Sequence, residues 1–132
     1  MQGELPDGIG NLNLERFVIR ENSFTGLIPT KIFNSSTLKS LVLSNNDFFG
    51  YLPLTMGLWL PNLKSLVLDN NKLKGIIPSS ISIASKLTIL SMNSDSLTGV
   101  IPDLAFGCKV KGDIPSGIGN LSSLERLSLD SN

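Results

Sequence analysis

The chain has 132 residues, of which 41% are apolar, and its 11 basic and 11 acidic residues give a formal net charge of zero. One domain with one continuous core fits this length, and a neutral chain has no bulk attraction to nucleic acid or to an anionic membrane. With no histidine and a single cysteine, Cys108, the chain cannot form a disulfide framework, a zinc site of cysteine and histidine, or a histidine-based catalytic triad. We therefore predict no cofactor, no bound metal and no nucleic-acid partner.

The residues from Met1 to Pro6 lack the basic stretch and the apolar stretch of a signal peptide. Nowhere does the chain contain a run of about 18 apolar residues, the length that a membrane helix needs. The chain as written is therefore expected to have neither a signal peptide nor a membrane helix, and not to insert into a membrane by itself.

A Gly-x-Ile/Leu-Pro segment recurs along the chain, with its glycine at Gly3, Gly26, Gly50, Gly75, Gly99 and Gly112. The first five glycines are 23, 24, 25 and 24 residues apart, whereas the last interval is only 13 residues. A repeat of this length indicates a solenoid, in which each repeat packs only on its neighbours. Glycine admits backbone angles closed to other residues and proline ends a strand-like stretch, so both residues suit a turn.

Between these segments, the pattern Leu-x-x-Leu-x-Leu-x-x-Asn-x-Leu predicts a short strand in every repeat. In the copy that starts at Leu38, the inward residues Leu41 and Leu43 alternate with the outward residues Ser40 and Ser44. Five strands are predicted, near residues 14–19, 38–43, 63–68, 87–92 and 124–129. Connections of about 18 residues are long enough for parallel pairing. We therefore expect a parallel sheet with one buried face and one open face.

The asparagine of this pattern occurs at Asn22, Asn46, Asn71 and Asn132. Its amide is expected to bond backbone groups of adjacent turns that no strand pairing reaches. In the fourth repeat Asp95 replaces it, and a carboxylate lacks the two N–H donors of an amide. This position is therefore predicted to be locally weaker or to reach water, and we do not assign Asp95 a catalytic role.

Two segments depart from the regular repeat. The truncated stretch 99–111 has a Gly-x-Ile-Pro but no strand pattern after it, so we expect strand 87–92 to pair directly with 124–129 while the excess, including Cys108, loops out. A deletion or a gene-model error explains this stretch more simply than a functional loop does, and Cys108 is then an unpaired thiol. The long third repeat holds its extra residue near Trp59, which is either exposed as a contact or, as we expect, packed under a bulged loop.

The full pattern Leu-x-x-Leu-x-Leu-x-x-Asn-x-Leu-x-Gly-x-Ile-Pro resembles the plant-specific class of leucine-rich repeat, as in the ectodomains of plant receptor-like kinases. The likeness covers nearly the whole chain, and the stretches 117–125 and 32–36 look most like the immune-receptor branch. The resemblance implies a leucine-rich repeat solenoid. Such a solenoid is a curved right-handed superhelix with a short-stranded parallel sheet on the concave face and irregular or 3-10 connections on the convex side. The Gly-x-Ile-Pro segments are expected to add a second, smaller set of strands.

The same resemblance bears on the organisation of the chain. Residues 1–132 are expected to form a single array of about five repeats, with a truncated irregular repeat at 99–111 and no terminal caps. The chain thus resembles an internal fragment of a receptor.

The outward positions of the five strands are the predicted ligand-contact surface because their side chains have no core to fill. They form three columns: Arg16, Ser40, Ser65, Ile89 and Arg126; Val18, Val42, Val67, Ser91 and Ser128; and Arg20, Ser44, Asp69, Asn93 and Asp130. The three valines are predicted to face solvent as an apolar strip that an extended peptide could cover, with arginines at one end and acidic or amide side chains towards the other. The alternative is that valine merely suits an exposed strand.

Two Asn-x-Ser sequons, at Asn34 and Asn120, occupy the same phase of the repeat on its outer side. Both asparagines are candidates for N-glycosylation if the protein is secreted. Otherwise they are ordinary surface asparagines.

The resemblance favours a non-catalytic module that binds a peptide or protein ligand, with a leucine-rich repeat co-receptor as a further partner. The module would belong to the extracellular sensing domain of a receptor-like kinase in defence or development, whose parent protein lies at the plasma membrane and whose Ser/Thr kinase is absent from this chain. The alternative is a secreted inhibitor of the polygalacturonase-inhibitor type, which carries cysteine caps. An enzyme is disfavoured because the chain offers no nucleophile with a base, no paired acids at a defined spacing and no metal set.

Overall fold

The computed structural model describes residues 2–93, 95–97, 99–100, 112–113 and 124–129. The predicted strands are confirmed as three-residue strands, which are Arg16–Val18 (β2), Ser40–Val42 (β4), Ser65–Val67 (β6), Ile89–Ser91 (β8) and Arg126–Ser128 (β12). They form one parallel sheet, here called the first sheet, in the order β2–β4–β6–β8–β12. The fold is a leucine-rich repeat solenoid, in which each repeat adds one strand to this sheet.

A second parallel sheet, here called the lateral sheet, is built from the segments around each Gly-x-Ile/Leu-Pro. Its strands are Gln2–Glu4 (β1), Ser23–Leu27 (β3), Asp47–Tyr51 (β5), Lys72–Gly75 (β7) and Ser96–Leu97 (β9). They lie in the order β1–β3–β5–β7–β9. The second set of strands that the family resemblance implied is therefore present.

The glycines of the lateral sheet allow neighbouring repeats to approach closely. Gly50 has φ +92°, a left-handed conformation that side chains other than glycine rarely adopt. A Cβ atom added there would lie 2.6 Å from Cδ2 of Leu27 in the preceding repeat. In three successive repeats, the residue after the glycine lies over the glycine of the next repeat; the pairs are Glu4 over Gly26, Leu27 over Gly50 and Tyr51 over Gly75.

Short 3-10 helices follow the prolines, at Asp7–Asn11, Thr30–Phe33 and Ser79–Ile83. In each, the proline carbonyl accepts a hydrogen bond from the isoleucine N–H three residues later, for example from Ile32 to Pro29 at 3.0 Å. This turn aims Ile32, Ile81 and, in the third repeat, Met56 into the core. No helix in the described part of the chain has the length and apolarity that crossing a bilayer requires.

One apolar core runs through the described repeats. Leu41, Leu66 and Leu90 from the centres of β4, β6 and β8 are fully buried, as are Leu43, Leu68 and Met92 two residues further on. On the lateral side, the rings of Phe24 and Phe48 stack with their centroids 6.3 Å apart. The inward side chains of each repeat thus pack on those of its neighbours, as expected for a solenoid.

Asn46 and Asn71 bind the backbone of two adjacent turns, as predicted, whereas Asn132 lies outside the described residues. Asn46 donates from Nδ2 to the carbonyls of Ile19, Leu43 and Ser44 at 3.1–3.3 Å, and its Oδ1 accepts from the N–H of Phe24 at 3.3 Å. Asn71 repeats the arrangement one repeat later, with Leu43, Leu68, Asp69 and Phe48. Buried backbone groups that the sheets leave unpaired are satisfied in this way.

The short interval after Gly99 leaves the first sheet without an extra strand. Strands β8 and β12 pair directly, with Leu90 opposite Leu127, as predicted. Gly99–Val100 (β10) pairs with Gly112–Asp113 (β11) so that the two glycines are opposite each other. Elsewhere a glycine pairs with the residue two positions before the next glycine, as Gly50 does with Leu73. Residues 101–111, including Cys108, lie outside the described residues.

Our prediction that Trp59 packs under a bulged loop is wrong, because 57% of its side chain is exposed. Met56 and Leu60 take the buried positions on either side of the inserted residue, so Leu58 and Trp59 between them turn outward. The backbone of Trp59 forms an isolated parallel bridge with that of Asn34 in the preceding repeat.

We expect Gly50→Ala to lower the free energy of unfolding by about 1–3 kcal/mol, because the left-handed backbone penalises any Cβ. Gly8→Ala is the matched control, since a Cβ on Gly8 would have no atom within 4 Å and its φ is not positive. The control should change stability by no more than about 0.5 kcal/mol. Urea denaturation measures both variants, and equal losses would contradict the role assigned to Gly50.

Candidate ligand-binding groove

The outward side chains of the first sheet lie side by side across the strands. Strand register aligns Arg16 with Ser40, Ser65, Ile89 and Arg126 in one row. Together with the rows that follow, they line an open groove of about 500 Å³. The predicted contact residues in its lining are Arg16, Val18, Arg20, Ser40, Val42, Ser44, Ser65, Val67, Asp69, Ile89, Ser91 and Arg126. Asn93 and Ser128 are not part of the lining, and Asp130 lies outside the described residues.

Three residues of the groove lining were not predicted: Glu21, Asn45 and Asn70. Each precedes a repeat asparagine and has a positive φ of 53–58°. The left-handed turn directs these residues back towards the open face of the sheet. Asparagine is enriched in this conformation, so Asn45 and Asn70 could have been predicted as turn residues from the sequence. Glutamate has no such preference, so Glu21 could not.

The prediction of a solvent-facing strip of three valines is wrong for its central member. Val18 is 44% exposed and Val67 is partly exposed, but Val42 is only 3% exposed. Val42 lies on the groove side, outside the apolar core, with Val18 and Val67 directly beside it in the neighbouring strands. These neighbours, one strand spacing of about 4.8 Å away, cover it. The valines therefore lie side by side in the floor of the groove, with only the central one fully covered.

The half of the groove nearest β8 and β12 is held by hydrogen bonds among its lining residues and the adjacent Asn93 and Ser128. Oδ1 of Asp69 accepts from the backbone N–H of Asn93 at 2.6 Å and from Oγ of Ser91 at 2.7 Å. Nδ2 of Asn93 donates to Oγ of Ser91, and Oγ of Ser128 donates to Oδ1 of Asn93 at 2.9 Å. Side chains in such a network are fixed in place before a ligand arrives.

The opposite half of the groove presents two exposed arginines on one strand and its continuation. Arg16 and Arg20 have no acidic partner within 4 Å among the described residues, whose ion pairs are Lys39 with Glu15 and Lys72 with Asp47. Guanidinium groups bind carboxylates with two parallel hydrogen bonds. The groove thus joins a polar, preorganised half, which carries the exposed Arg126 at its β12 edge, to a half with two available cationic groups.

Asp95 lies beneath the turn that ends β8 and replaces the repeat asparagine. Its Oδ1 accepts from the N–H of Leu73 at 3.1 Å, whereas its buried Oδ2 has no hydrogen-bond partner among the described residues. Burial raises the pKa of Asp95 from 3.8 to about 7. Asp95 is only 6% exposed, so the predicted alternative in which its carboxylate reaches water is wrong. That the position is locally weaker than one with asparagine stays a prediction.

Of the two candidate glycosylation sites, Asn34 lies on the surface directly after the 3-10 helix Thr30–Phe33, away from the groove. Ser36 of the same sequon is also exposed. Asn120 lies outside the described residues.

Comparisons with known proteins agree with this fold. The family Leucine Rich Repeat matches residues 37–59 and 62–83. Receptor-like protein 41 of Arabidopsis thaliana is 49% identical over 51 residues, which are 38% of this chain and 6% of that protein. The solved TDR receptor is 33% identical with a TM-score of 0.83, over 97% of this chain and 20% of its own.

A further solved structure, the Arabidopsis receptor kinase HAESA in complex with the peptide hormone IDA and the co-receptor SERK1, is 30% identical with a TM-score of 0.78, over 99% of this chain and 24% of its own. The chain thus contains two stretches that match the Leucine Rich Repeat family, and it is similar in sequence and fold to plant receptors. It spans only 6% of the curated relative and a quarter or less of these two receptor structures.

We expect Asp95→Asn to stabilise the fold above pH 7 and to flatten its pH dependence. Between pH 3.8 and about 7 the folded state holds a proton that the unfolded carboxylate has lost, so the stability of the native chain falls as pH rises through this window. The amide removes this loss and supplies the missing donors, a gain on the order of 2–4 kcal/mol at pH 8.

Urea denaturation at pH 4, 6 and 8 measures the effect of Asp95→Asn. Asp7→Asn, at an exposed position, is the control and should keep the native slope. Parallel stability curves for the native chain and Asp95→Asn would contradict a buried proton at Asp95.

Proposed function

We propose that the chain is a non-catalytic part of the ligand-sensing domain of a plant leucine-rich repeat receptor-like kinase, and that the groove binds a peptide or an extended protein segment. The groove is the main support for this proposal, because its hydrogen-bonded half adjoins two arginines that have no acidic partner among the described residues. The likeness to a receptor kinase solved with a peptide hormone and a co-receptor supports both kinds of partner.

The wider setting is part of the same proposal. The repeats would be extracellular, the parent protein would lie at the plasma membrane, and its Ser/Thr kinase would lie outside this chain. Residues 1–132 would form a single array of about five repeats with an irregular repeat at 99–111. The matched relatives reported above are receptors, which favours this function over the polygalacturonase-inhibitor type.

The charges of the groove indicate the chemistry of the ligand. A peptide that lies across the strands would place an acidic side chain or a carboxylate end at Arg16 and Arg20, and polar groups near Asp69. The exposed Val18 and the partly exposed Val67 offer apolar contact beside these groups. A standard recognition interface covers about 800 Å² per partner, so most of the groove has to take part.

We expect Arg16→Ala combined with Arg20→Ala to weaken binding of acidic peptides at least about tenfold, since each lost charge-assisted bond contributes roughly 1.5–3 kcal/mol. The probe is a library of random 12-residue peptides selected on the full chain. Selected peptides should carry an acidic group towards one end, and their affinity for the native and altered chains is measured by calorimetry.

Lys31→Ala combined with Lys86→Ala is the matched control, because it removes two positive charges outside the groove. This control should retain the native affinity. Selected peptides that bind both double variants equally would place binding elsewhere, and the groove would lose its assigned function.

A further inference from the structure

An exposed apolar ridge lies on the outer side of the third and fourth repeats, away from the groove. Trp59, Leu58 and Ile83 are 57%, 42% and 55% exposed. The two repeats are joined here, because the N–H of Gly57, in the turn before Trp59, donates to Oγ of Ser80 in the next 3-10 helix at 3.2 Å. Exposure of the apolar surface of a tryptophan to water is unfavourable, so covering Trp59 would stabilise the protein.

Asn34 stands at the rim of this ridge. The parallel bridge places the backbone of Asn34 opposite that of Trp59. Residues paired in this way lie about 5 Å apart with their side chains on the same side. Both residues are exposed, and among the described residues the carboxamide of Asn34 forms no hydrogen bond that would hold it in place. Asn34 also begins the sequon that continues through Ser35 to Ser36.

We propose that the indole of Trp59 is the docking platform for the first N-acetylglucosamine of an N-linked glycan on Asn34. This inference rests on the proposed extracellular location. Attachment forms a bond from Nδ2 of Asn34 to C1 of the sugar, breaks the bond from C1 to the diphosphate of a lipid-linked oligosaccharide, and passes the amide proton to a base of the transferase.

The chemistry of the two partners is complementary. One face of the sugar ring consists of C–H groups, and the face of an indole carries negative charge density, so the two stack with partial burial of both. Because the sugar is covalently held next to the ring, docking has no cost of bringing two molecules together. The hydroxyl groups on the opposite edge of the sugar stay in water, and the ridge becomes hydrophilic.

The test uses the fact that Trp59 is the only tryptophan of the chain, so fluorescence excited at the red edge of its absorption reports on it alone. The full chain is secreted from cells that add N-linked glycans, and site occupancy is measured by mass spectrometry. Ser36→Ala abolishes the sequon and leaves Asn34 in place, and Ser122→Ala does the same for the sequon at Asn120. Acrylamide quenching is then compared among these chains.

We expect the quenching constant to rise about twofold or more in Ser36→Ala and to stay at the native value in Ser122→Ala. Trimming the native glycan to a single N-acetylglucosamine should leave the protection intact, because the first sugar makes the contact. Equal quenching of the native and Ser36→Ala chains with Asn34 occupied would overturn the proposal, and so would an unoccupied Asn34 in the secreted chain.

Trp59→Leu gives a second readout that does not depend on fluorescence. Removal of the glycan should lower the Tm of the native chain by about 2–4 °C and leave the Tm of Trp59→Leu nearly unchanged. Equal Tm changes in both chains would overturn the docking of the sugar on Trp59. Peptide binding to the groove is measured separately, and Ser36→Ala should retain it, so failure of the glycan contact and failure of the proposed function are distinguishable.

Discussion

The turn after each strand, and with it the lateral sheet and the groove, depends on the hydrogen bonds of the repeat asparagines. A three-residue strand followed at once by a turn leaves several backbone groups that no sheet can pair, and one carboxamide with two donors and one acceptor satisfies those of two repeats together. The turn that results sends the chain to the lateral sheet and turns Asn45 and Asn70 towards the groove. The single carboxylate in this series, Asp95, shows what the amide supplies, because one of its oxygens stays buried without a partner.

Local chemistry explains which features could be predicted from the sequence. Strand positions follow from the alternation of leucines, the turn from glycine and proline, and the bonds of the repeat asparagine from the donors and acceptors of one side chain. Burial on the groove face could not be predicted in this way, because the exposure of Val42 depends on residues about 25 positions away in neighbouring strands. The predicted burial of Trp59 was wrong for a related reason. An inserted residue has no counterpart in other repeats, so the direction of its side chain depends on which neighbours take the buried positions.

The two halves of the groove differ in how they can meet a ligand. Asp69, Ser91 and Asn93 are already hydrogen-bonded to one another. A ligand that binds there therefore causes little further loss of side-chain conformational entropy. Arg16 and Arg20 are exposed and would have to be ordered by the ligand, which suits them to long-range attraction and to tolerance of ligand shape. The fold is common to many proteins, and it is this uneven distribution of fixed and free groups that distinguishes one such surface from another.

The contact between the lateral glycines and the preceding repeats has a consequence for how such a chain can change its length. Glutamate, leucine and tyrosine all lie over a glycine, although they differ in charge, size and shape. The receiving surface is bare backbone, so side chains that differ in size and charge fit against it. At this contact a repeat can therefore be duplicated, lost or exchanged without a matching change in the glycine of its neighbour. The absence of a Cβ atom at these glycines is therefore what makes the contact between repeats tolerant of sequence change.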